Sequence, residues 1–243
     1  MNSKVIIIGA QGKMGSQAVI AINHSNEFEC VAKVNRQDDL EKSFKEHQPD
    51  IAIDFTNAQS VYKNAQLIID LNIHPVIGSS GLTLEQISTL QQACQQKQLG
   101  GIIAPNFSIG AILMMKFSAM AANYFSEVEL IESHHQQKLD APSGTALKTA
   151  ELIAANLKKE KNQLELEELL PGARGATHQN INIHSVRIPG VIAKQEVIFG
   201  DTGETLTMTH NSLNRESFMP GVLLSCRKVL ELKELIYGLE NLI

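Results

Sequence analysis

The segment ESHHQQKLDAPSGTA, residues 132–146, concentrates side chains that can carry out proton-transfer chemistry. His134 and His135 can exchange protons near neutral pH, and Lys138 can donate a proton or neutralise a carboxylate. Adjacent residues of an extended segment point to opposite sides, so we expect the two histidines to play different roles. The segment therefore predicts a site that holds an anion and exchanges protons with it.

A predicted helix begins inside the same segment. Asp140 and Pro142 are typical of the residues that precede a helix, and Ser143-Gly144-Thr145 opens it. The backbone N–H groups of Gly144 and Thr145 would then be available to bind a carboxylate. A helix cap in a solvated loop is the plainer alternative, but it leaves the neighbouring histidines and lysine unexplained.

Two other kinds of site are disfavoured by the pattern. The remaining histidines are scattered, and no group of His, Cys and carboxylate residues has the spacing of metal ligands, so no metal is expected. The chain also contains no nucleophile elbow, which argues against serine hydrolysis.

A second candidate site is the turn GAQGKMG, residues 9–15, which follows a predicted strand and opens a predicted helix. In a dinucleotide-binding fold such glycines allow a tight turn, the approach of a pyrophosphate, and close packing of helix on strand. Gly12 and Gly15 have the spacing of the last two glycines of the usual fingerprint. Phosphate would lie at the helix N-terminus beside Lys13. The alternative is a purely structural turn, and the strand–helix alternation downstream favours the dinucleotide.

The end of the second predicted strand indicates the choice of cofactor. An acidic residue there would bind the ribose hydroxyls of NAD, whereas an arginine would accommodate the extra phosphate of NADP. The chain has Asn35 and Arg36 at this point, and neither repels a phosphate. We predict that NADPH is accepted at least as well as NADH; the alternative is that Arg36 merely faces solvent.

The elements that must position these residues alternate regularly in the first hundred residues. Apolar runs predict strands and amphipathic runs predict helices, which favours a parallel sheet with helices on its faces. The predicted strands are residues 4–8, 30–34, 51–54, 75–77 and 101–104, and the predicted helices are residues 13–23, 39–47, 58–71 and 83–98.

Beyond Pro105 the pattern changes to a mixture of strands and helices. Helices are predicted at about 109–125 and 145–159, and strands at 127–131, 181–187, 193–199 and 204–210, the last two joined by the hairpin turn GDTG. The fold class is therefore predicted as α/β, with a Rossmann-type dinucleotide-binding domain and an α+β substrate domain that contains a mixed open sheet. The domain boundaries are predicted at 1–105, completed by a C-terminal helix at about 216–243, and at 106–215. Residues 170–179 are predicted to be a mobile loop.

The bulk composition excludes several partners. The chain has 21 Lys and Arg residues and 26 Asp and Glu residues. Its net charge of −5 offers no global attraction to nucleic acid or to an anionic membrane. The longest apolar stretch, residues 102–122, is interrupted by Pro105, Asn106 and Lys116, so no membrane span is expected. Three widely spaced cysteines without a ligand pattern suit a reducing compartment, and we expect a cytoplasmic protein.

Taken together, the motifs resemble those of the bacterial dihydrodipicolinate reductases, also called 4-hydroxy-tetrahydrodipicolinate reductases. The resemblance covers essentially the whole chain, and its most specific part is the string from His134 to Ala146. The other motifs are GAQGKMG from Gly9, IDFT from Ile53, IGSSG from Ile77, APNFSIG from Ala104 and HSVR from His184.

The resemblance implies an enzyme that uses NADPH or NADH to reduce a cyclic dicarboxylate in diaminopimelate and lysine biosynthesis, and that assembles as a homotetramer. By motif, the residues implied to hold the pyrophosphate are Gly9, Ala10, Gln11, Gly12, Lys13 and Met14. Those implied to line the nicotinamide side are Gly78, Ser79, Ser80, Ala104, Pro105, Asn106 and Phe107. His134 resembles the family's proton donor or acceptor and Lys138 its proton donor, and His135, Gly144 and Thr145 resemble its substrate-binding positions.

Two alternatives share part of this pattern. Another two-domain Rossmann dehydrogenase would need the glycine turn but not the His-His-Lys segment. A non-catalytic NADPH-sensing protein would bind the cofactor without oxidising it.

Overall fold

The computed structural model describes residues 2–158 and 167–243. The chain divides into two compact units. Unit 1 comprises residues 1–109 and 215–243, and unit 2 comprises residues 110–214.

Unit 1 is built on a six-stranded sheet in which every strand pair is parallel. The strands are β1 (Ser3–Ile8), β2 (Phe28–Val34), β3 (Ile51–Asp54), β4 (His74–Ile77), β5 (Gly101–Ile103) and β11 (Leu235–Tyr237), in the order β11-β5-β4-β3-β1-β2. The helices are α1 (Lys13–His24), α2 (Leu40–His47), α3 (Val61–Asp70), α4 (Leu84–Lys97) and α7 (Met219–Val229).

The central strands of this sheet are mostly apolar, as expected where helices cover both faces of a sheet. Val5, Ile6 and Ile7 of β1 are fully buried, as is the whole of β3. Buried strands of a parallel sheet have this continuous apolar pattern. β2 is added on one side of β1 and β3 on the other, so the strand order reverses between β1 and β3, and at such a point the carboxyl ends of parallel strands form a crevice. This topology confirms the predicted Rossmann-type fold.

Unit 2 is built on a five-stranded mixed sheet. Its strands are β6 (Glu127–His134), β7 (Ala176–His178), β8 (Ile181–Arg187), β9 (Ala193–Asp201) and β10 (Glu204–Ser212), in the order β10-β9-β6-β8-β7. Only the β6–β8 pair is parallel. The mixed sheet and the β9–β10 hairpin confirm the prediction for this part of the chain.

Helices α5 (Ile109–Ala121) and α6 (Gly144–Ala154) pack on one face of the mixed sheet. Leu130 of β6 and Phe199 of β9 point to that face and are fully buried. The opposite face carries side chains that are only partly covered, among them Ile131, Val186 and Ile198.

Several predicted segments differ from the structure, among them the helix predicted at about 109–125, which ends at Ala121. The C-terminal helix predicted at about 216–243 spans only Met219–Val229, after a 3-10 turn, and Leu235–Tyr237 forms β11 along the edge of β5. A run of three apolar residues is too short for periodicity to separate strand from helix. The predicted loop 170–179 contains β7. The helix predicted at 145–159 ends at Ala154, and its last predicted residue lies outside the described part of the chain.

Among the described residues, we find no helix with both the length and the apolar character that a membrane span requires.

Candidate active site

The cofactor residues predicted from the sequence lie at one edge of the parallel sheet of unit 1. Gly9 follows β1, Asn35 follows β2, Gly78 follows β4 and Ala104 follows β5. Because all these strands run in the same direction, their carboxyl ends meet at the same edge. The fold therefore places together four segments that are far apart in the sequence.

The glycines of the turn after β1 are required by its geometry. Gly9 has φ +79°, in the left-handed region that favours glycine. A Cβ at Gly15 would lie 2.1 Å from the carbonyl oxygen of Gly9, so only glycine lets α1 pack this closely on the turn. Gly12 is the N-cap of α1, and no side chain caps the helix there. This is the packing that a dinucleotide-binding turn requires.

The backbone amides of this turn form two groups, those that donate hydrogen bonds within the protein and those at the start of α1. The N–H groups of Ala10, Gln11 and Gly12 donate to Val34 O, Asn35 Oδ1 and Gly9 O at 3.3, 2.9 and 2.9 Å. The amides of Lys13 and Met14 are the first two of α1 and have no acceptor within the helix. The helix start thus fits a phosphate, with these two N–H groups as its donors.

Asn35 links the glycine turn to the end of β2. Its Oδ1 accepts the amide N–H of Gln11 at 2.9 Å, and its own amide N–H donates to Asp38 Oδ2 at 2.7 Å. The side-chain NH2 of Asn35 is a donor in this arrangement, which suits a hydroxyl or a phosphate oxygen. Arg36 is exposed in the turn that follows.

The loops after β4 and β5 contain the predicted nicotinamide side. A Cβ at Gly78 would lie 2.2 Å from the Phe55 ring and 2.7 Å from the Phe107 ring, so the backbone approaches both aromatics closely. The two rings meet edge to face at 5.7 Å, and Phe107 is buried. Asn106 accepts the amide N–H of Ser108 at 2.8 Å, which shapes the loop. Ser80 and Pro105 are exposed, whereas Ala104 is buried.

A buried carboxylate, Asp54, organises this edge and was not singled out from the sequence. Its Oδ1 accepts the hydroxyl of Ser79 at 2.5 Å and both the amide and the hydroxyl of Thr56 at 2.9 and 2.7 Å. Its Oδ2 accepts the side-chain amide of Asn64 at 2.8 Å. The signal in the sequence was an acidic residue that ends an otherwise apolar strand.

The second cluster lies at the end of β6 in unit 2. His134 is the last residue of this strand, and its side chain is 16% exposed. Its Nδ1 lies 2.5 Å from Oε2 of Glu132, a carboxylate that is completely buried. The ring is therefore held through one nitrogen, which leaves Nε2 for exchange with a ligand.

Arg187, at the end of β8, closes this cluster. Its guanidinium forms two hydrogen bonds with Glu132, Nη2 to Oε1 at 2.8 Å and Nη1 to Oε2 at 3.1 Å. Nη2 also donates to the carbonyl oxygen of Asp140 at 2.6 Å. Burial would raise the pKa of the Glu132 carboxyl, but hydrogen bonds from His134, Arg187 and Ser185 outweigh it and lower that pKa to about 2.

Lys138 lies in the loop between β6 and α6, and its ammonium binds a neighbouring carboxylate. Nζ donates to both oxygens of Asp140, at 2.9 and 2.8 Å, and the side chains are 22% and 63% exposed. The hydrogen bond from Lys138 is the main cause that lowers the pKa of Asp140. The arrangement shows that the ammonium can bind a carboxylate through two oxygens.

The start of α6 has the form that the sequence predicted. The Ser143 hydroxyl accepts the amide N–H of Ala146 at 3.2 Å, as an N-cap does. Gly144 and Thr145 are the first two helical residues, and a Cβ at Gly144 would have no heavy atom within 4 Å. The space beside the Gly144 backbone is therefore open. The Nδ1 atom of His135 is buried and has no hydrogen-bond partner in the described structure.

Sequence reasoning missed Glu132 and Arg187 as members of this site. A signal for Glu132 existed, because residues 128 and 130 are apolar and the alternation of β6 places residue 132 on the same, core-facing side. Arg187 gave no local signal, since its place beside Glu132 follows from the pairing of β8 with β6.

The chain matches two family models, described as dihydrodipicolinate reductase N-terminus, over residues 3–107, and dihydrodipicolinate reductase C-terminus, over residues 110–243. It is 58% identical to the 4-hydroxy-tetrahydrodipicolinate reductase of Legionella pneumophila (strain Paris) and 50% identical to that of Coxiella burnetii (strain Dugway 5J108-111), each over 100% of both chains. A solved structure, the dipicolinate-bound dihydrodipicolinate reductase from Paenisporosarcina sp. TG-14, is 43% identical with a TM-score of 0.93 over 100% of both chains. The resemblance predicted from the motifs is confirmed, and the chain belongs to the dihydrodipicolinate reductase family.

Proposed function

We propose that the chain reduces (2S,4S)-4-hydroxy-2,3,4,5-tetrahydrodipicolinate to tetrahydrodipicolinate, with loss of water, in diaminopimelate and lysine biosynthesis. The observation that carries this proposal is the cluster in unit 2, where an ammonium, a histidine and an open helix start lie on one short segment. The relative from Paenisporosarcina is described as bound to dipicolinate, which is a ring with two carboxylates. Each of these groups suits one part of such a ligand.

Lys138 and the start of α6 would hold the substrate carboxylates. The ammonium of Lys138 now binds the carboxylate of Asp140, which is 63% exposed, so an incoming carboxylate could take its place. The amides of Gly144 and Thr145 would bind the other carboxylate at the helix N-terminus, where the helix dipole favours a negative charge. His135 would contribute a further ring nitrogen to substrate binding.

His134 and Lys138 would supply the proton that the reduction needs. Nδ1 of His134 is held by Glu132, so Nε2 is the nitrogen that would exchange a proton with the substrate. Charge that develops on the substrate nitrogen would be stabilised by the nearby ammonium.

Unit 1 would bind the nicotinamide cofactor, which supplies the hydride when it is bound. The pyrophosphate would lie on the Gly9–Met14 turn, with Lys13 and Met14 as backbone donors. Gly78, Ser79, Ser80 and the loop from Ala104 to Phe107 would flank the nicotinamide. We propose that NADPH is used at least as well as NADH, because Asn35 and Arg36 carry no negative charge that would repel a 2′-phosphate.

A coupled assay tests the proposed reaction. The preceding synthase generates the substrate, and the fall in NADPH absorbance reports its reduction. His134→Ala and Lys138→Ala should each lower kcat by about a hundredfold or more, with little change in the Kd for NADPH. Lys148→Ala, an exposed lysine on α6, is the matched control and should retain wild-type turnover.

The same assay separates the alternatives. Tight NADPH binding without substrate-dependent oxidation would indicate a sensor, and oxidation with other substrates only would indicate a different dehydrogenase. Near-normal turnover in both the His134 and the Lys138 variants would refute the assignment of the site. A large preference for NADH would refute the proposed cofactor choice.

We also propose that unit 2 mediates assembly into a homotetramer in the cytoplasm. The support is that Ile131, Val186 and Ile198 lie partly exposed on one sheet face, among polar side chains such as Glu129 and His184, and subunit interfaces combine apolar and polar side chains in this way. Free thiols at all three cysteines suit a reducing compartment. Sedimentation should report a tetramer for the wild type and smaller species for Ile198→Glu; an unchanged tetramer in this variant would contradict the assignment of the face.

A further inference from the structure

The carboxylate of Glu132 occupies a position that an apolar residue would fill in a simple strand. The alternation of β6 places Val128, Leu130 and Glu132 on the face covered by α5 and α6, and Glu132 is as completely buried as Leu130. Burying a charge is costly unless it is paired and hydrogen-bonded, and an apolar residue of similar size would often be as stable or more so. Stability alone therefore gives a weak reason for a carboxylate at this position.

The carboxylate of Glu132 forms hydrogen bonds with two side chains, the guanidinium of Arg187 and the ring of His134, the candidate proton donor. Arg187 binds both oxygens of the carboxylate, at 2.8 and 3.1 Å, and this pairing compensates the buried charge. Oε2 is shared, because Nδ1 of His134 also lies 2.5 Å from it. An arginine–carboxylate pair would be complete without the histidine, so the contact with His134 needs an explanation of its own.

That contact determines which ring nitrogen carries a proton. An ionised carboxylate accepts hydrogen bonds only, so the Nδ1 that faces it must be protonated. The neutral ring is then unprotonated at Nε2, and the cationic ring carries its exchangeable proton at Nε2. Glu132 also fixes the orientation of the ring, because the hydrogen bond at Nδ1 holds that nitrogen beside the carboxylate.

Arg187 connects the same carboxylate to the loop that carries Lys138. Its Nη2 donates to the carbonyl oxygen of Asp140 at 2.6 Å, and the carboxylate of Asp140 binds the Lys138 ammonium. The formal charges of Glu132, Asp140, Arg187 and Lys138 sum to zero. A proton on His134 therefore gives the cluster its net positive charge, which a dicarboxylate would favour.

We propose that Glu132 is a positioning residue for His134, which holds the proton on Nδ1 and directs Nε2 to the substrate, while Arg187 holds the carboxylate in place. This inference rests on the proposed function, because it requires that His134 exchanges a proton with the substrate. Glu132 itself does not touch the substrate.

The first test compares Glu132→Gln in two backgrounds. In the wild-type background the variant should lower kcat by about ten- to a hundredfold, since it removes the charge that supports a proton donor, and should change the KM for NADPH less than about twofold. In the His134→Ala background the same substitution should change kcat by less than about twofold, because the residue through which it acts is gone. A structural role would lower kcat by the same factor in both backgrounds, and that result would overturn the proposal.

The matched control is Glu129→Gln, on the same strand. Glu129 also binds a histidine and an arginine, His184 Nε2 at 2.8 Å and Arg174 Nη2 at 3.0 Å, but its side chain points to the opposite face of the sheet. This variant should keep wild-type kcat, provided that sedimentation shows an unchanged oligomeric state. A loss of turnover equal to that of Glu132→Gln would overturn the specific role of Glu132.

A second measurement reads the protonation of His134 in the wild-type protein. With 15N-labelled histidine, the ring-nitrogen shifts of His134 in the wild-type protein should show the proton on Nδ1 when the ring is neutral, and His134→Ala identifies the signal. A proton on Nε2 would overturn the proposal. If His134→Ala itself kept normal turnover, the assigned proton donor would be wrong; if only Glu132→Gln did, the proposed function would stand and this inference alone would fall.

Discussion

Gly15→Ala offers a sharp test of the dinucleotide-binding turn. In an ordinary helix this substitution stabilises the protein by about 0.5–1 kcal/mol. Here the new Cβ would lie 2.1 Å from the carbonyl oxygen of Gly9, 2.8 Å from its carbonyl carbon and 2.9 Å from the Cα of Ala10, whereas an ordinary contact is 3.4–4 Å. All three atoms belong to the backbone, so α1 must move away from the turn by roughly 1 Å.

The expected cost follows from that displacement. Overpacking of this kind destabilises a protein by about 1–3 kcal/mol, and a loss of about 2 kcal/mol corresponds to a fall in the melting temperature of about 4–8 °C for a chain of this size. The same movement shifts the amides of Lys13 and Met14, so the Kd for NADPH should rise at least about tenfold. Thermal unfolding and fluorescence titration with NADPH measure the two effects.

Gly200→Ala is the control for this prediction. A Cβ at Gly200 would have no heavy atom within 4 Å, so both the melting temperature and the Kd should stay near the wild-type values. If Gly15→Ala melted and bound NADPH as the wild type does, the inferred packing of α1 on the turn would be wrong.

Three further predictions follow from the site and its surroundings. Because the pKa of Glu132 is lowered from 4.5 to about 2, the ionised carboxylate stabilises the folded chain by about 3 kcal/mol above pH 4.5, and this contribution is lost as the pH falls towards 2. The free energy of unfolding, measured by denaturant titration, should therefore depend less on pH in Glu132→Gln than in the wild type. An identical pH dependence would contradict the assignment. Burial raises the pKa of the Cys94 and Cys226 thiols to about 12, whereas Cys30 is partly exposed. Native protein at pH 8 should therefore react with iodoacetamide first at Cys30, as mass spectrometry would show. Equal alkylation rates at the three cysteines would contradict this prediction. Asn35→Asp places a negative charge beside the expected 2′-phosphate and should lower kcat/KM for NADPH at least about tenfold more than kcat/KM for NADH. Equal losses of kcat/KM for the two cofactors would refute this prediction.

The sequence predicted the local features of both clusters because each is encoded by consecutive residues. The glycine turn is recognisable from the spacing of Gly12 and Gly15 between a strand and a helix. The start of α6 is recognisable from Ser143 and the residues around it, and the structure shows the expected cap. The alternation of strands and helices was enough to predict the parallel sheet, since the period of apolar residues depends only on local geometry.

Pairs that depend on the register of distant strands could not be predicted in this way. Glu132 and Arg187 are 55 residues apart and meet because β6 pairs with β8, and Asp54 meets Ser79 across 25 residues because β3 pairs with β4. The strand β11 is also defined by its neighbour, because three apolar residues form a strand only where the free edge of β5 accepts them.

By itself, the sequence was enough to predict which residues would carry the chemistry: the turn at Gly9, the His134–Lys138 segment and the helix that begins at Gly144. Only the tertiary structure decided that a buried carboxylate holds Nδ1 of His134 and that an arginine from another strand holds this carboxylate. The physical reason is that spacing along the chain specifies local backbone geometry, whereas the burial and pairing of a charge depend on which strands lie side by side.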